Sequence, residues 1–265
     1  MTFKTALSVN VNKIALLRNA RGGWMPDLRQ CAATIVAAGA DGITVHPRPD
    51  LRHILPEDVV MLAELAKEKG VEFNIEGNPA ASMGANGYPG FNALVEQATP
   101  DQCTLVPDAV NQLTSDHGWD LSTPVVRKRV RDAAKALRTH GVRVSLFMDP
   151  DVEQILRAAD LGVDRIELFT GPYAEAFRIN GAGAASTQEW LDRHAEAAAT
   201  AISAGVGVNA GHDLDLSNLA AFCRTGRISE VSIGQALVAD ALEFGLARAV
   251  GKYQALLRSC DEVSA

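Results

Sequence analysis

Stretches rich in Ala, Leu and charged residues, with apolar positions at helical spacing, repeatedly end in Gly and are followed by a short apolar run. The arrangement recurs in "IVAAGADGITVH", "LAKEKGVEFNIE", "LRTHGVRVSLFMD", "AADLGVDRIELFT" and "AISAGVGVNAGH". Glycine at such a boundary supplies the left-handed residue that ends a helix. The runs after it are short and continuous, which suits strands buried on both faces of a parallel sheet. This pattern predicts strands at 6–11, 42–46, 71–76, 102–107, 142–149, 165–170, 206–211 and 230–234. Helices are expected near 27–38, 56–69, 90–98, 124–140, 151–161, 186–204, 215–224 and 235–257. Eight strands, each followed by a helix, predict an α/β fold, a (β/α)8 TIM barrel, with residues 1–265 in one domain. Long loops at 77–90, 108–123 and 171–185 follow strands three, four and six, on the face where barrels keep their sites.

The length of 265 residues suits one such barrel, and 47% hydrophobic with 22% charged residues leaves ample core material. A net charge of −7 and a pI of about 5.4 argue against a nucleic-acid binder, which would carry a basic face. Cys31, Cys103, Cys223 and Cys260 lie far apart without a C-x-x-C pair, so they are expected to be reduced thiols with no part in chemistry. No stretch approaches the roughly 20 apolar residues that span a bilayer. "MTFKTALSVNVNKIALL" lacks a cleavage pattern, and a cytoplasmic location with no membrane partner is expected.

The polar residues gather where the strands end. "GITVHPRPDLRHI" turns from an apolar run into His46, Arg48, Arg52 and His53, separated by Pro47 and Pro49. Strand one ends at Asn10 to Lys13, strand three at Glu76, and strand four leads toward Thr114. Strand six carries Glu167, strand seven ends Asn209-Ala210-Gly211-His212, and strand eight ends Gly234-Gln235. In a parallel barrel these ends converge on one mouth, and His with Glu there can move protons near neutral pH. Taken singly, His46 could cap a helix, Glu76 could N-cap the next helix, and Glu167 could pair with Arg165. Arg18, Arg21, Arg48 and Arg52 suit phosphates or, equally, a solvated face. Gly234 at a helix start fits a barrel phosphate site. His117, His140 and His194 are expected on solvated surface, and no metal-spaced pair appears.

These stretches resemble the pyridoxine 5′-phosphate synthase family. The likeness is carried by "VNVNKIALLRNARGG", "AGADGITVHPRPDLRHI", "EFNIEG", "TLVPD", "LTSDHGWD", "VSLFMD", "DRIELFTGPYA", "VNAGHDL" and "EVSIGQA", which run from strand one to strand eight. The resemblance implies a barrel with extra helices, assembled as a homo-octamer built from dimers, without metal or organic cofactor. It implies condensation of 1-deoxy-D-xylulose 5-phosphate with 3-amino-2-oxopropyl phosphate to pyridoxine 5′-phosphate. By position, His46 and Glu76 resemble proton acceptors, His212 a proton donor, and Glu167 an acid that stabilises a transition state. Asn10 and Arg21 match contacts to the amino-ketone phosphate. Arg48, His53 and Thr114 match contacts to the sugar phosphate, and Gly234 matches the strand-eight phosphate site. Three positions depart from the pattern. Asn12-Lys13 stands for Asp-His, Gln235 for His, and Asp213 for the Gly after His212, all at substrate-binding positions. These departures leave open a related barrel acting on another phosphorylated ketone, or an inactive phosphate-ligand binder.

Overall fold

Eight parallel strands form a closed barrel in sequence order: β1 (Ala6–Asn10), β2 (Gly42–Val45), β3 (Glu72–Gly77), β4 (Gln102–Leu105), β5 (Arg143–Met148), β6 (Arg165–Phe169), β7 (Gly207–Gly211) and β8 (Glu230–Ile233). The barrel closes where β8 pairs with β1, with Ala6 opposite Glu230 and Val9 opposite Ile233. The computed structural model describes residues 4–263; residues 1–3 and 264–265, the ends of the expected domain, lie outside the described residues. The helices are α1 (Asn12–Asn19), α2 (Leu28–Ala37), α3 (Pro56–Lys69), α4 (Phe91–Ala98), α5 (Pro124–Thr139), α6 (Val152–Ala159), α7 (Gly171–Asn180), α8 (Ala185–Ser203), α9 (Leu219–Phe222), α10 (Gln235–Phe244) and α11 (Leu246–Val263). Helix stops follow the glycine rule: Gly70 caps α3 in the left-handed region at φ 66°.

The strands alternate more sharply than their apolar look suggests. One face of each strand (Leu7, Ile43, Ile75, Cys103, Leu146, Ile166, Val208, Val231) packs into the core under the helices. The other face is polar and equally buried, and its hydrogen bonds cross the barrel interior. Arg165 Nη1 donates to Asn209 Oδ1 and Glu230 Oε2, both at 3.0 Å. Asn209 Nδ2 donates to Gln102 Oε1 at 3.4 Å, and Arg143 Nε to the same oxygen at 2.9 Å. A barrel interior is ordinarily filled by branched apolar side chains. Here a hydrogen-bonded network takes their place, although Ser145 Oγ, Gln102 Nε2 and Glu230 Oε1 are buried without a partner. Arg165 therefore serves Glu230 and Asn209, and the expected Arg165–Glu167 alternative does not form.

The expected helix at 215–224 contracts to α9 and a 3₁₀ turn at Cys223–Thr225, because the Asp215 side chain accepts the N–H groups of Ser217 and Asn218 and holds a turn there. The expected 235–257 helix divides at Gly245, φ 82°. Residues 171–185, expected as a loop, carry α7, with Pro172 in the first turn and Tyr173, Ala174 and Ala176 buried. His194 is not on solvated surface. It is fully buried on α8, its Nδ1 2.7 Å from the Trp190 carbonyl and its Nε2 3.1 Å from the Phe169 carbonyl. Its position belongs to the buried stripe Leu191, His194, Ala198 and Ala201 of that helix, which outranks the polarity of the ring. His117 and His140 are exposed. Among the described residues, no helix is long and apolar enough to cross a membrane.

Candidate active site

At the C-terminal mouth of the barrel lies a cavity of about 390 Å³. A relay of side chains from three strands shapes its floor. The Asn10 carboxamide oxygen takes the Asn12 N–H at 3.0 Å, and Asn12 Oδ1 takes the His46 N–H at 2.9 Å. Asn10 Nδ2 reaches Glu76 Oε2 at 3.4 Å. The end of β2 is thereby fixed by the turn after β1, and the His46 ring is set inward, 6% exposed. Its Nδ1 stands 3.5 Å from Glu76 Oε2 and its Nε2 3.8 Å from Asp108 Oδ2. Opposite, on β6, Glu167 takes the Thr104 hydroxyl at 3.4 Å. Glu167 fits only because β7 has a glycine beside it: a Cβ at Gly211 would lie 2.3 Å from Glu167 Oε1.

Burial sets the protonation of this cluster. Burial, reinforced by Asp108, pushes Glu76 up to about 7, and burial with the neighbouring Glu76 pushes Glu167 well above the usual carboxylate range. Burial and then the Arg48 charge bring His46 down to about 4. Burial and then His46 bring His53 down to about 3. His53 Nδ1 accepts the Ile54 N–H at 2.9 Å, so the neutral ring carries its hydrogen on Nε2 and offers a donor. Near neutral pH the cavity thus holds two uncharged imidazoles, a carboxyl poised to gain or lose a proton, and a second carboxyl whose neutral form burial favours.

The same shifts predict how stability depends on pH. The two histidines titrate near 6.5 in the unfolded chain and near 4 and 3 in the fold, so their contribution is complete above about 6.5 and is lost as pH falls toward those values. Glu76 works in the opposite sense, its contribution present below about 4.5 and lost as pH rises through about 7. Each group adds a slope of about 1.4 kcal/mol per pH unit inside its window. His53→Gln is expected to lose stability less steeply than wild type on acidification below about 6.5, by about that slope. Urea unfolding across the window checks this, and equal slopes for both proteins would contradict it.

On the far side of the mouth, His212 and Asp213 follow β7 with φ of 84° and 61°. Two successive non-glycine residues in this region carry strain of order 1–3 kcal/mol each. His212 Nε2 lies 2.9 Å from the Thr114 hydroxyl, which the loop after β4 brings in. Gly234 and Gln235 open α10 at the cavity, with no side-chain cap and no acidic residue in its first turn. Its first N–H groups are available to an anion.

The cavity lining brings together His46, Glu76, Glu167, His212, Asn10 and Arg48 with His53, Thr114, Asp213, Gly234 and Gln235. Arg21 is not among them. It lies exposed on the turn after α1. Arg48 is in the lining but not free: its guanidinium binds the Asp108 carboxylate and the Gln112 carbonyl, and it is 4% exposed. Arg18 is likewise engaged, with Asp58. Asp108 escaped the sequence reading, although it follows β4 by three residues in "TLVPD" and strand-end position alone would have marked it. Lys13 and Ser115 also line the cavity. Cys31 sits in α2, Cys103 in β4 and Cys223 in the 3₁₀ turn, all outside the lining. Among the described residues no group of three or more His, Cys, Asp or Glu is placed to hold a metal ion.

A barrel of this build, with proton-transferring groups beside an open helix start, defines an acid–base enzyme of small anionic substrates. Comparison with known proteins narrows the class. The model of the family described as pyridoxal phosphate biosynthesis protein PdxJ matches residues 7–259, and the chain belongs to that family. A pyridoxine 5′-phosphate synthase from Xanthomonas axonopodis pv. citri (strain 306) is 52% identical over 256 residues, covering 96% of this chain and 97% of the relative. One from Xylella fastidiosa (strain M23) is 48% identical over 264 residues, covering 98% of each. Among solved structures, 3-keto-L-gulonate-6-phosphate decarboxylase from Vibrio cholerae superposes with a TM-score of 0.59 at 11% identity over 98% of both chains. Thiamine phosphate pyrophosphorylase from Pyrococcus furiosus gives 0.60 at 14% identity over 98% of both. At such identities the likeness speaks for the barrel fold alone.

Proposed function

We propose that this chain condenses 1-deoxy-D-xylulose 5-phosphate with 3-amino-2-oxopropyl phosphate, releasing pyridoxine 5′-phosphate, inorganic phosphate and water. The observation that carries the reading is the cluster of His46, Glu76, Glu167 and His212 from four strand ends around one cavity, joined by the open start of α10. An amine attacks a ketone, water leaves as an imine forms, and carbon-bound protons are removed before the ring closes. Neutral His46 and Glu76, held near 7, suit proton removal. His212 stands across the cavity with Nε2 at the Thr114 hydroxyl and suits delivery of a proton to a departing oxygen. Glu167, buried where its neutral form is favoured, suits a hydrogen bond to charge that develops in the transition state. Asn10, Arg48, His53, Thr114, Asp213, Gly234 and Gln235 hold the two substrates, with the α10 N–H groups and the His53 Nε2–H as donors to anionic or hydroxyl oxygens. Arg21 has no contact with this cavity within the chain.

We also propose that residues 1–265 act as one barrel domain, in the cytoplasm, within a homo-octamer built from dimers. Exposed Trp24 (75%), Met25 (60%) and Leu17 (57%) near the α1–α2 connection offer apolar surface for such contacts. The test of function is incubation with both substrates and assay for pyridoxine 5′-phosphate. Product formed in proportion to enzyme is expected, and none at high enzyme concentration would overturn the reading.

A further inference from the structure

The turn after β7 places a carboxylate on the rear nitrogen of the His212 ring. Asp213 Oδ2 lies 2.9 Å from Nδ1, while Nε2 faces the Thr114 hydroxyl at 2.9 Å. Both residues occupy the left-handed region. That backbone is pinned from outside: the Thr170 hydroxyl donates to the Gly211 and His212 carbonyls, and Asn218 Nδ2 donates to the Asp213 carbonyl at 3.0 Å. The Tyr173 hydroxyl in turn holds the Asn218 carbonyl at 2.7 Å, and the Phe169 ring packs edge-on against the imidazole at 5.1 Å. The ring therefore has one orientation, with its two nitrogens facing two different kinds of partner.

A carboxylate can only accept, whereas a hydroxyl can donate or accept. We propose that Asp213 is a positioning residue that holds neutral His212 as the Nδ1–H tautomer and leaves Nε2 as the nitrogen that exchanges protons at the substrate. The inference rests on His212 being the proton donor of the proposed reaction: Nε2 first takes a proton released by the substrates, and the imidazolium so formed, paired with Asp213, delivers that proton to the departing oxygen. Asp213 is kept ionised by its bond to His212, with the Lys13 charge acting in the same direction. Its side chain is 53% exposed, so in water the pair adds little to stability, and its use is orientation. Lys13 and Asp213 are two of the positions where this chain departs from the family pattern it resembles, and their charges are complementary across the mouth.

The experiment is nitrogen-15 spectroscopy of the histidine rings in the full chain, with the His212 signals assigned through His212→Gln, alongside steady-state kinetics. Asp213→Gly suits the left-handed backbone at φ 61° and removes only the carboxylate. Asp213→Asn keeps the shape but can turn its NH2 toward Nδ1, which favours the Nε2–H tautomer. Wild type is expected to show His212 as the Nδ1–H tautomer. Asp213→Gly is expected to shift it toward Nε2–H, with kcat lower by roughly tenfold, below the 10²–10⁴ of losing an acid outright, and KM changed less than kcat. Asp213→Asn is expected to shift the ring toward Nε2–H as well, with kcat no higher than that of Asp213→Gly. An Nδ1–H ring that persists in Asp213→Gly, or an unchanged kcat in that variant, would overturn the proposal. The ring spectra need no turnover, so if wild type formed no product the proposed function would fail while the tautomer assignment would still be decided.

Discussion

His46→Ala is expected to lower kcat by about 10²–10⁴ with little change in KM, the loss typical of removing a general base. The ring sits where a base is needed, in the cavity and 3.5 Å from Glu76. Burial and Arg48 keep it uncharged down to a pH of about 4, so at neutral pH its lone pair is available. The side chain makes no close hydrogen bond in the resting site, and Asn12 holds the backbone N–H of residue 46, not the ring. Truncation to Ala should therefore spare the local fold. A pH profile divides the work between the two acceptors. The loss of kcat on acidification should centre near 7, where Glu76 takes up its proton, and should persist in His46→Ala. In Glu76→Gln that limb should disappear. A kcat for His46→Ala within about threefold of wild type would remove His46 from the role, since a base at this position is worth far more.

The barrel was legible because its repeating unit is local. A helix stopped by Gly, then four to six apolar-looking residues, announces itself within one stretch such as "LAKEKGVEFNIE", and eight repeats leave few ways to close. Strand ends then pointed to His46, Glu76, Glu167 and His212 without any knowledge of contacts. What stayed hidden depends on partners distant in sequence. Arg165 and Glu230 look like accidental polar residues in apolar runs until the barrel closes and Arg165 reaches the Glu230 carboxylate inside it. α1 has two buried positions, Ile14 and Ala15, in eight residues, too few to show a helical period. In "HPRPD" nothing reveals that Arg48 also binds Asp108, sixty positions on. Arg21 matched by motif alone, and motif position carries no information about where the turn after α1 goes.

Arg48→Ala is expected to destabilise the protein by about 3–5 kcal/mol in addition to weakening substrate binding, the cost of leaving a buried charge without its partner. Arg48 and Asp108 are 4% and 7% exposed, and without the guanidinium the carboxylate keeps only the Ser115 hydroxyl at 2.7 Å. The pair also joins two loops. Arg48 binds the Gln112 carbonyl at 3.1 Å, while Arg52 binds the carbonyls of Gln112 and Leu113 at 3.0 and 2.9 Å, which fastens the β2 loop to the β4 loop. Thr114, the next residue, meets His212. Loss of Arg48 should therefore loosen the wall that presents Thr114 and lower kcat as well as raise KM, unlike the loss of a simple phosphate anchor. Arg48→Lys should rescue little, since one ammonium cannot reproduce a planar fork that serves a carboxylate and a carbonyl together. Arg48→Ala combined with Asp108→Asn removes the stranded charge and should regain part of the stability but not the activity, because the two loops stay unfastened. Urea unfolding of the three variants gives the answer. A loss below about 1 kcal/mol for Arg48→Ala, or a double variant no more stable than the single one, would show that the pair is not the buried clamp described here.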